Sequence, residues 1–149
     1  MPARFTIVLF MTTHPNLELV HRFFQAYATG DQAGVEAILS PSVRWHIPGN
    51  HPLSGVKTGI AEVLDYLSQL GKAAFQASPI VMGVSDQYVI DCHRNWSSLE
   101  NVANLDAMSC LLWKMEDGKI TEVFNFPENQ HRVDAFFREV YDPGEGALS

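Results

Sequence analysis

His46, the spaced trio Asp91, His93 and Asn95, and Asn125 are polar side chains set in otherwise apolar, strand-like sequence, where their chemistry could support a reaction. An imidazole titrates near pH 6.5 and exchanges protons at neutral pH, so His46 is a candidate general base. Positioned proton transfer of that kind contributes about 10² to 10⁴ in rate. Alternation puts Val43, Trp45 and Ile47 on one strand face and Arg44 with His46 on the other. His46 therefore lines a pocket, or is a surface histidine if the apolar face is the core. Asn125 lies between Phe124 and Phe126 and shares its face with Val123. It is either a polar group in a pocket or a strand residue bonded to a neighbour.

Asp91, His93 and Asn95 point the same way, opposite the stripe Tyr88, Ile90, Cys92 and Trp96. If that stripe is buried, the polar trio faces outward and serves a subunit interface; the rival is an Asp91–His93 acid–base pair inside a pocket. Trp113 and Met115 share a parity with Leu111, as core or as binding wall. His51 falls in a loop at a pocket mouth, while His14, His21 and His131 read as exposed. None of the six histidines forms an H-x-H or H-x-x-x-H pair, so no metal site is expected. Phosphate loops and the G-x-S-x-G elbow are missing too, and no cofactor is implied.

These residues need a scaffold. Leu17, Val20, Phe24 and Tyr27 recur at helical spacing, with Phe23 widening the stripe, and Gly30 ends that helix. Asp31 caps a shorter helix carrying Val35, Ile38 and Leu39, which Pro41 ends. Residues 42–48 alternate as a strand, 49–55 read as loop, and Thr58 caps a third helix with Ile60, Val63, Leu64, Leu67 and Leu70. Beyond Gly71 the period becomes that of strands, near 74–84, 87–97, 104–116 and 119–126. Asp117-Gly118 supplies a hairpin signal. Asn129 caps a last helix carrying Val133, Phe136, Phe137 and Val140. The expected order is α-α-β-α-β-β-β-β-α, a two-layer α+β domain with helices over an antiparallel meander.

A chain of 149 residues with 46% hydrophobic and 18% charged residues has the composition of one compact domain rather than of a disordered segment. We divide it into an extension (1–14), a domain (15–141) and a tail (142–149). The net charge of −7 opposes contact with phosphate backbones and anionic lipid, so no nucleic-acid or membrane partner is expected. The apolar run at 5–11 is shorter than the roughly 20 residues that span a bilayer and lacks a cleavage pattern. The expected location is cytoplasmic, with Cys92 and Cys110 as small buried hydrophobes. A start at Met11 would make the first ten residues a loose extension or an added edge strand.

The segment Val43-Arg-Trp-His-Ile-Pro-Gly-Asn-His-Pro-Leu-Ser-Gly55 resembles the first-strand signature of SnoaL-like proteins in the nuclear transport factor 2-like superfamily. Asp117-Gly-Lys-Ile-Thr-Glu-Val-Phe-Asn-Phe-Pro-Glu-Asn-Gln130 is similar to the closing strand of that family. The resemblance, over residues 15–140, implies a cone: a strongly curved antiparallel sheet packed by three to four helices around an internal pocket. It also implies a small apolar ligand and a homodimer through the outer sheet face.

The superfamily includes ketosteroid isomerase, polyketide cyclases and dehydratases alongside non-catalytic binding modules, so fold alone fixes no function. The resemblance aligns His46 with the isomerase's carboxylate base, Phe23 with its first-helix tyrosine and Leu111 with its proton-donating acid. Asn125 aligns with a cyclase acid. An amide cannot titrate, but it can donate a hydrogen bond to a carbonyl or enolate, a role worth about 2.7–4 kcal/mol in an oxyanion hole. The roles implied are His46 as proton acceptor, Asn125 as polarising donor, and Phe23, Tyr27, Trp45, Trp96, Leu111, Trp113 and Phe126 as walls. His51 stands at the mouth. The expected activity is isomerase-, dehydratase- or cyclase-type, with a non-catalytic binding or dimerisation module as the alternative.

Overall fold

A computed structural model of the chain describes residues 14–141. The extension, the Met11 question and the tail lie outside the described residues, apart from His14. Helix α1 (Pro15–Thr29) starts where His14 Nδ1 accepts the Asn16 N–H at 3.1 Å, with proline in its first turn. It stops at Gly30, whose φ of 69° turns the chain into the left-handed region. Helix α2 (Gln32–Ile38) is capped as expected, by Asp31 Oδ1 accepting the Gly34 N–H at 2.9 Å. Asp31→Ala should cost about 1 kcal/mol, read as a lower urea midpoint at unchanged slope.

Strand β1 (Leu39–Ile47) begins three residues earlier than expected and contains Pro41. The proline is tolerated because the pairing of β1 with its neighbour shifts register between Leu39 and Arg44, leaving no ladder bond for it to break. A short strand β2 (Gly55–Thr58), which the loop-like composition concealed, folds back antiparallel on β1 with His46 opposite Val56. Helix α3 (Ile60–Lys72) follows. Gly59, at φ 87°, takes the cap position in place of Thr58, and the Glu62 carboxylate reaches back to accept the Thr58 N–H.

Strands β3 (Gln76–Val84), β4 (Tyr88–Trp96), β5 (Asp106–Glu116) and β6 (Lys119–Pro127) form the expected meander, and α4 (Gln130–Tyr141) closes the described chain. The β5–β6 turn is the anticipated Asp117-Gly118, both residues at positive φ, the backbone a two-residue hairpin demands. The sheet order is β2-β1-β6-β5-β4-β3, with every pairing antiparallel except β1 with β6, which is parallel. The chain can make that parallel contact because everything between the two strands serves as the crossover.

Leu19, Val20, Phe23 and Phe24 of α1, Val63, Tyr66, Leu67 and Leu70 of α3, and Phe136 and Phe137 of α4 are buried on the same side of the curved, unclosed sheet. They meet the sheet's inner residues Val43, Trp45, Val89, Leu111, Trp113 and Val123 in one core. The opposite face carries exposed Ile90, Met108 and Phe126, 45–54% accessible. Cys92 and Cys110 oppose each other there, free and half-exposed, correcting the expectation that they are buried.

Candidate functional site

The burial of β4 alternates against its hydrophobicity. Val89, Asp91, His93 and Asn95 are the buried, inward-facing residues, while Tyr88, Ile90, Cys92, Arg94 and Trp96 face out. The outward placement expected for the polar trio is thus reversed, and the physical reason lies on the next strand. Trp113 is fully buried, and its indole N–H donates to Asp91 Oδ1 at 2.6 Å. The other carboxylate oxygen, Oδ2, lies 2.8 Å from His93 Nδ1.

With Asp91 accepting, Nδ1 carries the proton of this bond, and in the neutral ring Nε2 then presents a lone pair. Nε2 has no hydrogen-bond partner among the described residues, and His93 lines a partly open cavity of about 80 Å³. The carboxylate thereby fixes tautomer and ring orientation, with Phe24 edge-on to the imidazole at 5.5 Å. This is the geometry of a base held by a positioning acid.

The cavity wall is otherwise mostly apolar and aromatic. Phe23 packs at 5.5 Å from Trp45 and 4.9 Å from Trp113, forming a rigid aromatic cluster at its base. Four more polar residues reach the lining: Asn95, Ser109, Asn125 and Gln76. Asn95 donates to Ser109 Oγ at 3.0 Å. By contrast, Asn125 Oδ1 and Trp45 Nε1 are buried with no partner among the described residues. An unmade buried hydrogen bond costs about 1–3 kcal/mol, so a ligand carrying a matching hydroxyl or carbonyl would recover it. Tyr66 is buried and Tyr27 partly buried at the same wall, and desolvation holds both phenols above their ordinary pKa, so they stay neutral.

Of the residues selected by sequence, Phe23, Tyr27, Trp45, Leu111 and Asn125 line the cavity. His46 does not. It lies on the outer sheet face, stacked 4.3 Å from Phe124, with Nε2 2.6 Å from Glu122 Oε2, and Arg44 completes the surface cluster. Its neighbours Trp45 and Ile47 are the core-facing ones, so parity sends His46 outward. Phe126 and Trp96 share that outer face, and the Arg94 guanidinium covers the Trp96 ring at 4.3 Å. Trp113 stands behind the wall as the donor to Asp91 and not on the lining.

His51 is buried against Phe137 at 4.7 Å, not open at a mouth, and its Nδ1 accepts the Leu53 N–H. Its loop is clamped to α4: the Asn50 N–H donates to Asp134 Oδ1 at 3.1 Å. Gly49 (φ 99°) permits this approach, since a Cβ there would fall 2.2 Å from the Gln130 amide. Burial lowers the His51 pKa, with Lys57 and Arg138 adding to the effect and Asp134 and the Pro48 carbonyl opposing it. Below its ordinary value of 6.5 the unfolded chain takes up the proton first, so stability rises with pH through that window and levels off above it. His51→Asn, which keeps an acceptor for Leu53, should flatten this part of the thermal midpoint's dependence between pH 5 and 8.

Sequence reasoning missed Ser109 and Gln76 altogether. Ser109 sits directly opposite His93 in the β4–β5 register, a relation that only strand pairing reveals. Among the described residues no cluster of three or more His, Cys, Asp or Glu side chains could hold a metal ion. In the same residues no helix is long and apolar enough to cross a membrane.

Similarity to known proteins agrees with this architecture. An uncharacterised Mycobacterium tuberculosis protein, Rv0034, is 30% identical over 131 residues, covering 85% of this chain and 99% of its own. A Xanthomonas campestris protein of unknown function with a cystatin-like fold superposes with a TM-score of 0.74 at 32% identity, covering 81% of this chain and 96% of that one. TerC, co-crystallised with polyporic acid, gives a TM-score of 0.74 at 18% identity, covering 84% and 99%. Residues 20–123 match the SnoaL-like domain, and the chain belongs to that family.

Proposed function

We propose that the chain binds a small, largely apolar molecule bearing a carbonyl or hydroxyl group in the cavity and transfers a proton on it without a cofactor, in an isomerase-, dehydratase- or cyclase-type reaction. The observation that carries this reading is the buried Asp91–His93 pair, with His93 on the cavity lining and its Nε2 without a hydrogen-bond partner among the described residues. His93 takes and returns the proton, Asp91 positions it, and Asn125 with the Trp45 indole holds the polar group of the ligand. Proton acceptance moves from His46 to His93, and Asn125, whose unpaired atom is the accepting Oδ1, holds a ligand hydroxyl in place of the polarising role that the resemblance implies. TerC, of the same fold, was co-crystallised with polyporic acid, which supports a small-molecule occupant.

The test is thermal unfolding of the wild type and Asn125→Leu with a panel of apolar ketones, phenols and lactones. A ligand at about 100 times its Kd adds about 2.7 kcal/mol, several degrees for a domain of this size. The expected result is a shift in the wild type that the variant diminishes. If no compound shifts either protein, the ligand reading is lost.

A second reading, a dimerisation module, draws on the outer sheet face, where Ile90, Met108 and Phe126 leave apolar surface uncovered. An antiparallel sheet face free of helices suits an isologous pair, and we propose a homodimer there. Light scattering should give twice the chain mass, and Phe126→Lys should return a monomer. A monomeric wild type at high concentration would remove the proposal.

A further inference from the structure

The cavity holding His93 is small. About 80 Å³ compares with roughly 150 Å³ for a cavity that encloses benzene, so the chamber takes only the reacting end of a molecule. Immediately beside it lies a second, larger hollow of about 500 Å³, between the C-terminal end of α1, α2, α3 and the start of β3. The two share Tyr27, Leu67, Phe75, Gln76 and Ala77, so the partition between them is one layer of side chains thick. Its latch is a single hydrogen bond, from Tyr27 Oη to the Phe75 carbonyl at 2.7 Å. The carbonyl belongs to the turn joining α3 to β3, where Ala74 adopts φ 53°. Both Tyr27 and Phe75 are only partly buried. The outer hollow mixes apolar Ala28 and Leu64 with polar Ser68 and Gln32, and Asp31 lies at its rim.

We infer that the outer hollow is a second subsite, in line with the cavity, and that the ligand is elongated: a compact carbonyl or hydroxyl head beside His93 and a neutral, mainly aliphatic tail passing the Tyr27–Phe75 partition. This rests on the proposed function and specifies its ligand class. Asp31 and the net charge of −7 disfavour an anionic tail end. The tail supplies binding energy that the head, in a chamber too small to bury it well, cannot.

The test uses butan-2-one and nonan-2-one as probes, with binding to the intact chain followed by NMR. Ser68 and Ala28 are both exposed and line only the outer hollow, so Ser68→Trp and Ala28→Trp block it without touching the cavity. A fully buried methylene is worth about fourfold in affinity, and five added methylenes in a half-open groove should give at least about tenfold. The expected result is that nonan-2-one binds the wild type at least about tenfold more tightly than butan-2-one. Both tryptophan variants should abolish that gain and leave butan-2-one binding unchanged. Equal affinities in the wild type, or a gain that survives both variants, would overturn the second subsite while leaving the cavity intact. If neither ketone perturbs the cavity residues, the proposed function fails and this inference with it.

Discussion

His93→Asn should lower kcat by about 10² to 10⁴ on any ketone that the protein turns over, with KM changed little and the fold retained. The asparagine amide can occupy the place of Nδ1 and keep donating to Asp91, so the buried carboxylate keeps both of its donors. What disappears is Nε2, the lone pair that the imidazole of this lining residue can offer a substrate proton. The pH profile should lose an inflection in the same variant, because binding alone requires no titrating group. His46→Gln is the control. Its ring lies on the far face of the sheet against Phe124 and Glu122, and its removal should leave kcat within about twofold, inside the range of ordinary surface substitutions. Full activity in His93→Asn, or a comparable loss in His46→Gln, would return the role of base to the outer histidine or to another group.

The contrast between these two histidines shows how far the chain could be read in advance. Helices α1 to α4 and the four-strand meander were legible because their apolar periods are regular and their stops are explicit, at Gly30, Asp31 and Asp117-Gly118. Strand β2 was not, since four residues with glycine at one end and no buried position carry no alternation to detect. The parallel β1–β6 contact joins residues some eighty apart, beyond the reach of any local pattern.

At the site, the apolar wall residues Phe23, Tyr27, Trp45 and Leu111 could be chosen by type. The orientation of β4 could not, because both of its faces contain large side chains and hydrophobicity favours the wrong one. What accompanies that orientation is a set of hydrogen bonds that only the fold reveals: the buried Asp91 is paired with the Trp113 indole on the neighbouring strand and with His93 on its own. In this protein a buried polar group outweighed the apolar stripe. A search for a buried tryptophan facing an acid across a hairpin would have found the pair.

That same indole makes Asp91 the residue whose loss should be felt most in stability. Asp91 is buried and receives the Trp113 Nε1–H and the His93 Nδ1–H on its two oxygens. Asp91→Leu leaves both donors buried and unpaired at about 1–3 kcal/mol each, so about 2–6 kcal/mol together. Urea unfolding should show a fall of that size in the extrapolated free energy at a nearly unchanged slope. A loss below about 1 kcal/mol would mean that the pair does not hold the cavity wall together. Asp91→Asn separates stability from chemistry. Its one amide oxygen can still accept from Trp113, but its amide nitrogen then donates toward His93, whose Nδ1 must turn into the acceptor. The proton moves to Nε2, and the cavity faces a donor where it had a lone pair. Asp91→Asn should therefore be folded at moderate cost yet lose turnover almost as fully as His93→Asn, the outcome expected when a histidine is held in the wrong tautomer.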